Sequence, residues 1–146
     1  MPIIKIKIGR NIGELTDSLH RMAGTLLRYG NPVVFFGQGW SPSVDVYREG
    51  ETVYVVAALA GVAREDVQVT LEAPYLRIAG VRRPPPQKES RHFYQMEVEY
   101  GPFERMVRLP SYIDENKVEA VFDNGLLTVR LERRKPEAPT KITVTG

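Results

Sequence analysis

The stretch KVEAVFDNGLLTVRLE constrains the fold more than any other part of this chain. Val118, Ala120 and Phe122 alternate with polar neighbours before Asn124-Gly125, and Leu127, Val129 and Leu131 alternate after it. Successive side chains of a strand point to opposite faces, so each run carries one apolar face. Asn and Gly both tolerate the positive φ of a tight turn, so the runs are predicted to fold back as a hairpin. The apolar face of that hairpin has to be covered.

The upstream sequence offers the cover. SVDVY alternates through Val44 and Val46, and Glu49-Gly50 offers a turn before TVYVVAAL, which Gly61 interrupts. DVQVTL sets Val67, Val69 and Leu71 on one face, APY turns, and YLRIAG sets Leu76 and Ile78 on one face. FERMVRL supplies Phe103, Met106, Val107 and Leu109 before Pro110 stops it. Short period-two runs punctuated by turn residues from Ser43 to Arg134 predict an all-β antiparallel sandwich or barrel. With 146 residues, 42% of them hydrophobic, the chain is long enough for one such domain with tails.

Several function classes are excluded by what the sequence lacks. Without cysteine there is no disulfide framework, thiolate nucleophile or Cys-ligated zinc site. His20 and His92 are isolated, no Ser sits in a nucleophile elbow, and Gly37-Gln38-Gly39 lacks the rest of a phosphate cradle. Neither catalysis nor a metal or cofactor is expected. Basic and acidic residues number 20 and 18 and are interspersed, without the basic stripe of a nucleic-acid binder. MPIIKIKIGR mixes lysines among its isoleucines, unlike a secretory signal, and the run VYVVAALA falls far short of the roughly 20 residues of a membrane helix. A cytoplasmic location is expected.

The alternation fails between Ala79 and Tyr100. Three consecutive prolines in RRPPPQKES donate no hydrogen bonds and favour a stiff extended arm, yet RHFYQMEVEY beyond them is strand-forming. Such a strand is placed to pair with something other than its own sheet; an ordinary surface loop is the alternative. Residues 1–40 form a different arm. Ile12, Leu15, Leu19, Met22 and Leu26 share one face of a predicted helix over about 12–28, ended by Gly30-Asn31-Pro32. Phe35, Phe36 and Trp40 have no obvious place in the sandwich, and the alternating IIKIKI reads as an unprotected strand, with an intersubunit role only one option. The arm either docks on its own domain or meets foreign apolar surface. Residues 135–146 form a Pro-containing extension that ends in KITVTG.

Three segments, in order and in spacing, resemble the small heat-shock proteins and their alpha-crystallin domain. WSPSVDVYREGETVYVVAALAGVAREDVQVTLEAPYLRIAG is similar to the first half of that domain. YGPFERMVRLP resembles its G-x-F-x-R-x-x-x-L-P segment through Gly101, Phe103, Arg105, Leu109 and Pro110, and AVFDNGLLTV resembles its A-x-x-x-N-G-V-L signature through Ala120, Asn124, Gly125 and Leu127. Leu126 stands in for Val, Ala60 for a common Pro, and the terminal motif is Ile-x-Val. The resemblance implies an immunoglobulin-like antiparallel β-sandwich over 41–134. For the bacterial and plant type it implies a dimer that exchanges a loop strand, here Arg91 to Val98 and including Phe93, Tyr94, Gln95 and Met96, with Arg105 near the interface. It also implies an ATP-independent holdase for unfolded client proteins, built as a homo-oligomer of dimers. Ile142 and Val144 would anchor it in a neighbour's groove lined by Val67, Val69, Leu71, Val118 and Ala120.

Burying Ile142 and Val144 contributes about 1.5–3 kcal/mol each. Ordering the three motif residues costs about 1–2 kcal/mol apiece, which offsets most of it. One tail in one groove is therefore expected to exchange, while many tethered tails hold a particle together; a final strand within its own domain is the alternative for ITV. Ile12, Leu15, Leu19, Met22, Leu26, Phe35 and Phe36 are the expected client contacts. A sandwich is equally compatible with a non-catalytic binding module for carbohydrate or a membrane surface, the latter through the amphipathic helix beside IIKIKIGR, whose lysines flank apolar residues.

Overall fold

The computed structural model describes residues 3–9, 39–110, 112–134 and 144. The amphipathic stripe from Ile12 to Leu26, together with Phe35, Phe36 and Ile142, lies outside the described residues. The strands are β1 (Ile3–Ile4), β2 (Ile6–Ile8), β3 (Val44–Glu49), β4 (Thr52–Ala58), β5 (Val67–Glu72), β6 (Tyr75–Arg82), β7 (Gly101–Arg108), β8 (Ile113–Asp123) and β9 (Leu126–Arg133). A short 3-10 turn, Arg64–Asp66, leads into β5. One sheet has five strands in the order β1-β8-β9-β4-β3, and the other has four in the order β2-β5-β6-β7. Every pairing is antiparallel except that of β2 with β5, which is parallel.

The hairpins fall where the turn chemistry places them. Asn124 and Gly125 take φ of 51° and 77° between β8 and β9, and Gly50 takes 59° between β3 and β4. Ala73-Pro74 links β5 to β6. Registered neighbours then align into rows across the inner faces. Ile4, Ala120, Val129, Val55 and Val46 make one row of the five-stranded sheet. Ile6, Val69, Ile78 and Arg105 make one of the other, beside Ile8, Leu71, Leu76 and Val107. Facing rows interdigitate as in any β-sandwich, and Phe103, Leu59, Leu71, Leu76, Ile78, Leu127 and Leu131 are fully buried there.

Two sequence expectations change. IIKIKI is no free strand: β1 adds to the edge of one sheet, the chain crosses at Lys5, and β2 adds to the edge of the other. Trp40 also has a place, because its ring packs 4.8 Å from that of Phe103 and its Nε1 donates to the Gly101 carbonyl at 3.0 Å. Within the apolar run of β7, Met106 is 39% exposed. Alternation sends it to the face opposite Phe103 and Val107.

Between β6 and β7 the Arg77 Nε lies 3.0 Å from Glu104 Oε1, with both side chains nearly covered. Such a pair specifies register more than it stabilises, since each ion has given up water.

Candidate assembly and client-binding surfaces

A sandwich has two open sides, each bordered by the last strands of both sheets, and unpaired edge groups there are ready to accept another strand. The side between β5 and β8 holds the sequence-named groove residues. Val67, Val69, Leu71 and Ala120 turn into the interior and are almost wholly buried, while Val118 is half-buried. β5 and β8 belong to different sheets. The structure brings the five residues to one side and covers them with the chain's own start. Ile3 and Ile4 sit opposite Val121 and Ala120, and Ile6, Lys7 and Ile8 sit opposite Val69, Thr70 and Leu71. Ile4 is 6% exposed, whereas Ile3 is 66% exposed. The Gly9 N–H donates to the Leu71 carbonyl at 2.8 Å and extends the ladder by one step.

The side between β3 and β7 is different. No described strand pairs with the outer edge of β3, whose Val46 and Tyr47 are exposed. The edge of β7 is partly taken: Trp40 donates to the Pro102 carbonyl and accepts from the Glu104 N–H, each at 3.2 Å. Arg105 lies on the same face of β7 as Phe103 and Val107, opposite Ile78. It stays exposed because β7 is the last strand of its sheet. An inward-facing charge at an edge resists indiscriminate pairing.

Residues 83–100 carry no strand in the subunit. Phe93, Tyr94, Met96 and Val98 are exposed, Tyr94 entirely, and Gln95 bonds only to the nearby Glu97 carboxylate among the contacts described. Arg91 is half-buried, its Nη1 donating to the Pro86 carbonyl at 3.0 Å. The loop's stem is braced. Arg82 donates through Nε to the Ala60 carbonyl at 2.8 Å and through Nη1 to the Glu99 carbonyl at 2.7 Å, with its guanidinium 4.0 Å from the centre of the Trp40 ring. Arg83 forks onto both carboxylate oxygens of Asp66, at 2.8 and 3.0 Å. A cation over an aromatic face and a bidentate ion pair both restrict direction, so a free-standing apolar segment leaves the sandwich from a fixed root. Sequence reasoning found this segment through its prolines but missed the brace: a lone Trp and two Arg carry no periodicity that would join them.

The chemistry on offer is association. Among the described residues no three His, Cys, Asp or Glu side chains gather as a metal site, and no helix is long and apolar enough to cross a membrane. His92 stands exposed in the loop. Val144, the described half of the terminal anchor pair, is 88% exposed.

Comparison with known proteins identifies the family. The Hsp20/alpha crystallin family pattern matches residues 45–145. The protein named "Probable 15 kDa heat shock protein" in Leptospira interrogans is 37% identical over 101 residues, 66% of this chain and 72% of that one. Heat shock protein 16 of Schizosaccharomyces pombe is 41% identical over 95 residues, 64% of this chain and 66% of that one, so the match spans about two thirds of these relatives. The solved structure of heat shock protein 16.0 from Schizosaccharomyces pombe superposes with a TM-score of 0.61 at 35% identity, covering 72% of this chain and 98% of that one. The chain belongs to the Hsp20/alpha-crystallin family, a family of small heat-shock chaperones and not of enzymes.

Proposed function

We propose that the chain is an ATP-independent holdase that works in the cytoplasm as a dynamic oligomer of strand-exchanged dimers, binding unfolding client proteins through apolar surface and keeping them from aggregating. The observation that carries this reading is the pairing of an exposed apolar segment with an open sheet edge. Phe93, Tyr94, Met96 and Val98 stand in solvent on a braced stem, and the outer edge of β3 has no partner among the described strands. Strand addition satisfies backbone groups on both chains and buries alternate side chains, so residues 91–98 of one subunit fit β3 of a second. Two such exchanges related by a two-fold axis make a closed dimer. Arg105, left exposed on the inward face of β7, is positioned to meet an acidic partner group.

Dimers join further through Ile142 and Val144 in the groove of Val67, Val69, Leu71, Val118 and Ala120 of a neighbour. Each contact is weak and the tethered sum is strong, so heat loosens contacts without dissolving the particle. The N-terminal residues Ile12, Leu15, Leu19, Met22, Leu26, Phe35 and Phe36 meet the client. The membrane alternative rests on the amphipathic helix, which lies outside the described residues; of the adjoining IIKIKI, Ile4 is turned into the sandwich and 6% exposed.

Light scattering on the full chain beside one ending at Thr140 tests assembly: a large particle that falls to dimers on truncation is expected, and a monomer in both cases overturns the reading. An aggregation assay with a heat-labile client tests the holdase. Suppression without ATP that weakens in the Leu15→Ser, Leu19→Ser variant is expected; unchanged suppression removes the helix as a client contact.

A further inference from the structure

We propose that the groove between β5 and β8 has two competing occupants: the chain's own Ile4-Lys5-Ile6-Lys7-Ile8, and the Ile142-Thr143-Val144 segment of a second copy, which enters only by displacing it. The inference rests on the tail-docking reading above and adds an internal competitor to it. The two occupants share one chemistry. A groove formed by two sheet edges asks for an extended segment with apolar side chains two residues apart. The amino terminus presents that spacing twice, in Ile4-x-Ile6 and Ile6-x-Ile8, and the tail presents it once, in Ile142-x-Val144.

The internal occupant already uses the positions a tail would need. Ile4 takes the place beside Ala120, and Ile6 and Ile8 take those beside Val69 and Leu71. Val144, meanwhile, is 88% exposed, so the tail's own valine is not in this groove within one subunit. Two strands cannot hydrogen-bond to the same side of one edge strand at once.

The internal seat is also imperfect, which makes displacement feasible. Ile3 is largely exposed, and Ile6 and Ile8 are only half-buried. Glu72 lies over Gly9, where even a Cβ atom would collide with its side chain, Cδ being 2.8 Å away. Its Oε1 is buried and has no hydrogen-bond partner among the described residues. A carboxylate oxygen in that state is penalised relative to water, and departure of the segment exposes it again. The β1–β2 segment is thus a plug held by apolar contact and edge-strand hydrogen bonds and opposed by one desolvated carboxylate. An occupied groove is unavailable to a tail, so apparent tail affinity is the intrinsic affinity multiplied by the fraction of subunits whose plug is out.

The chain has no cysteine, so one engineered pair locks the plug cleanly. Lys7 and Thr70 are registered neighbours, and Lys7→Cys/Thr70→Cys in the full chain is its own control under oxidising and reducing conditions. The probe is a fluorescent peptide of residues 138–146, read by polarisation. Disulfide formation, with peptide affinity at least about tenfold lower in the oxidised form and regained on reduction, is the expected result. In the Ile6→Ser/Ile8→Ser variant, without cysteines, the peptide should bind about tenfold more tightly than in the unaltered chain. Failure of the disulfide to form overturns the internal seat. A disulfide that forms while affinity stays the same in both forms overturns the competition and leaves tail docking standing. Peptide that binds none of these proteins, with particle mass unchanged on ending the chain at Thr140, defeats tail docking itself and the competition with it.

Discussion

The two open sides of this sandwich are treated in opposite ways. Between β5 and β8 the chain closes its own edge: Ile4, Ile6 and Ile8 continue the inner rows through Ala120, Val69 and Leu71. Between β3 and β7 it leaves the row ends Val46 and Arg105 exposed, and among the described residues only Trp40 reaches across the β7 edge. On the proposed function the difference separates two jobs that both depend on strand addition: exchange of one short segment for another at the closed edge, and a long-lived partner at the edge left open.

The sharpest way to break the comparison is to remove the loop's side chains. Changing Phe93, Tyr94, Met96 and Val98 together to Ser should convert dimers to monomers at micromolar concentration, seen by light scattering. The sandwich itself should stay folded by circular dichroism, because these side chains are exposed in the subunit. Persistent dimers would move the long-lived interface elsewhere.

A second test contrasts the interior with either side. Phe103→Ala removes a fully buried ring that packs on Trp40, and should cost about 3–5 kcal/mol in urea unfolding. Gly80→Ala should cost about 1–3 kcal/mol by overpacking. Its new Cβ would meet the Asp66 carbonyl oxygen and lie 2.8 Å from Phe103 Cζ. If either change cost no more than a surface substitution, β6 and β7 would not be the rigid root that the loop requires.

The smallest effects sharpen the closed side. Ile4 is 6% exposed and Ile3 is 66% exposed, although they are adjacent and chemically identical. Ile4→Ala should cost about 1–2 kcal/mol, less than a central core deletion because a terminal strand can open locally. Ile3→Ala should change stability by less than about 0.5 kcal/mol. Equal effects would mean that β1 does not hold its place on β8.

Much of the sandwich was legible because its signals are local. Val118, Ala120 and Phe122 alternate in sequence and face inward in space, and Asn124-Gly125 turns where its two positive φ angles allow. The groove residues of β5 and β8 were legible as inward faces, and the triple proline marked the loop. The run FERMVRL did not by itself say which way Met106 faces, because adjacent apolar residues mask the alternation.

What the linear pattern left undetermined is everything set by contacts between distant residues. IIKIKI declares a strand but not its neighbour, since an unpaired edge is satisfied by any extended segment of suitable spacing. Only the packed sandwich shows β5 and β8 bordering one side, so that a single crossing at Lys5 serves both sheets. Trp40 likewise acquires its role from Phe103, Gly101 and Arg82, which lie more than forty residues away along the chain. Periodicity in the sequence alone determined which residues face the core. The tertiary structure decided which edges are filled and which are left open, because that depends on which chain ends meet after the sheets have packed.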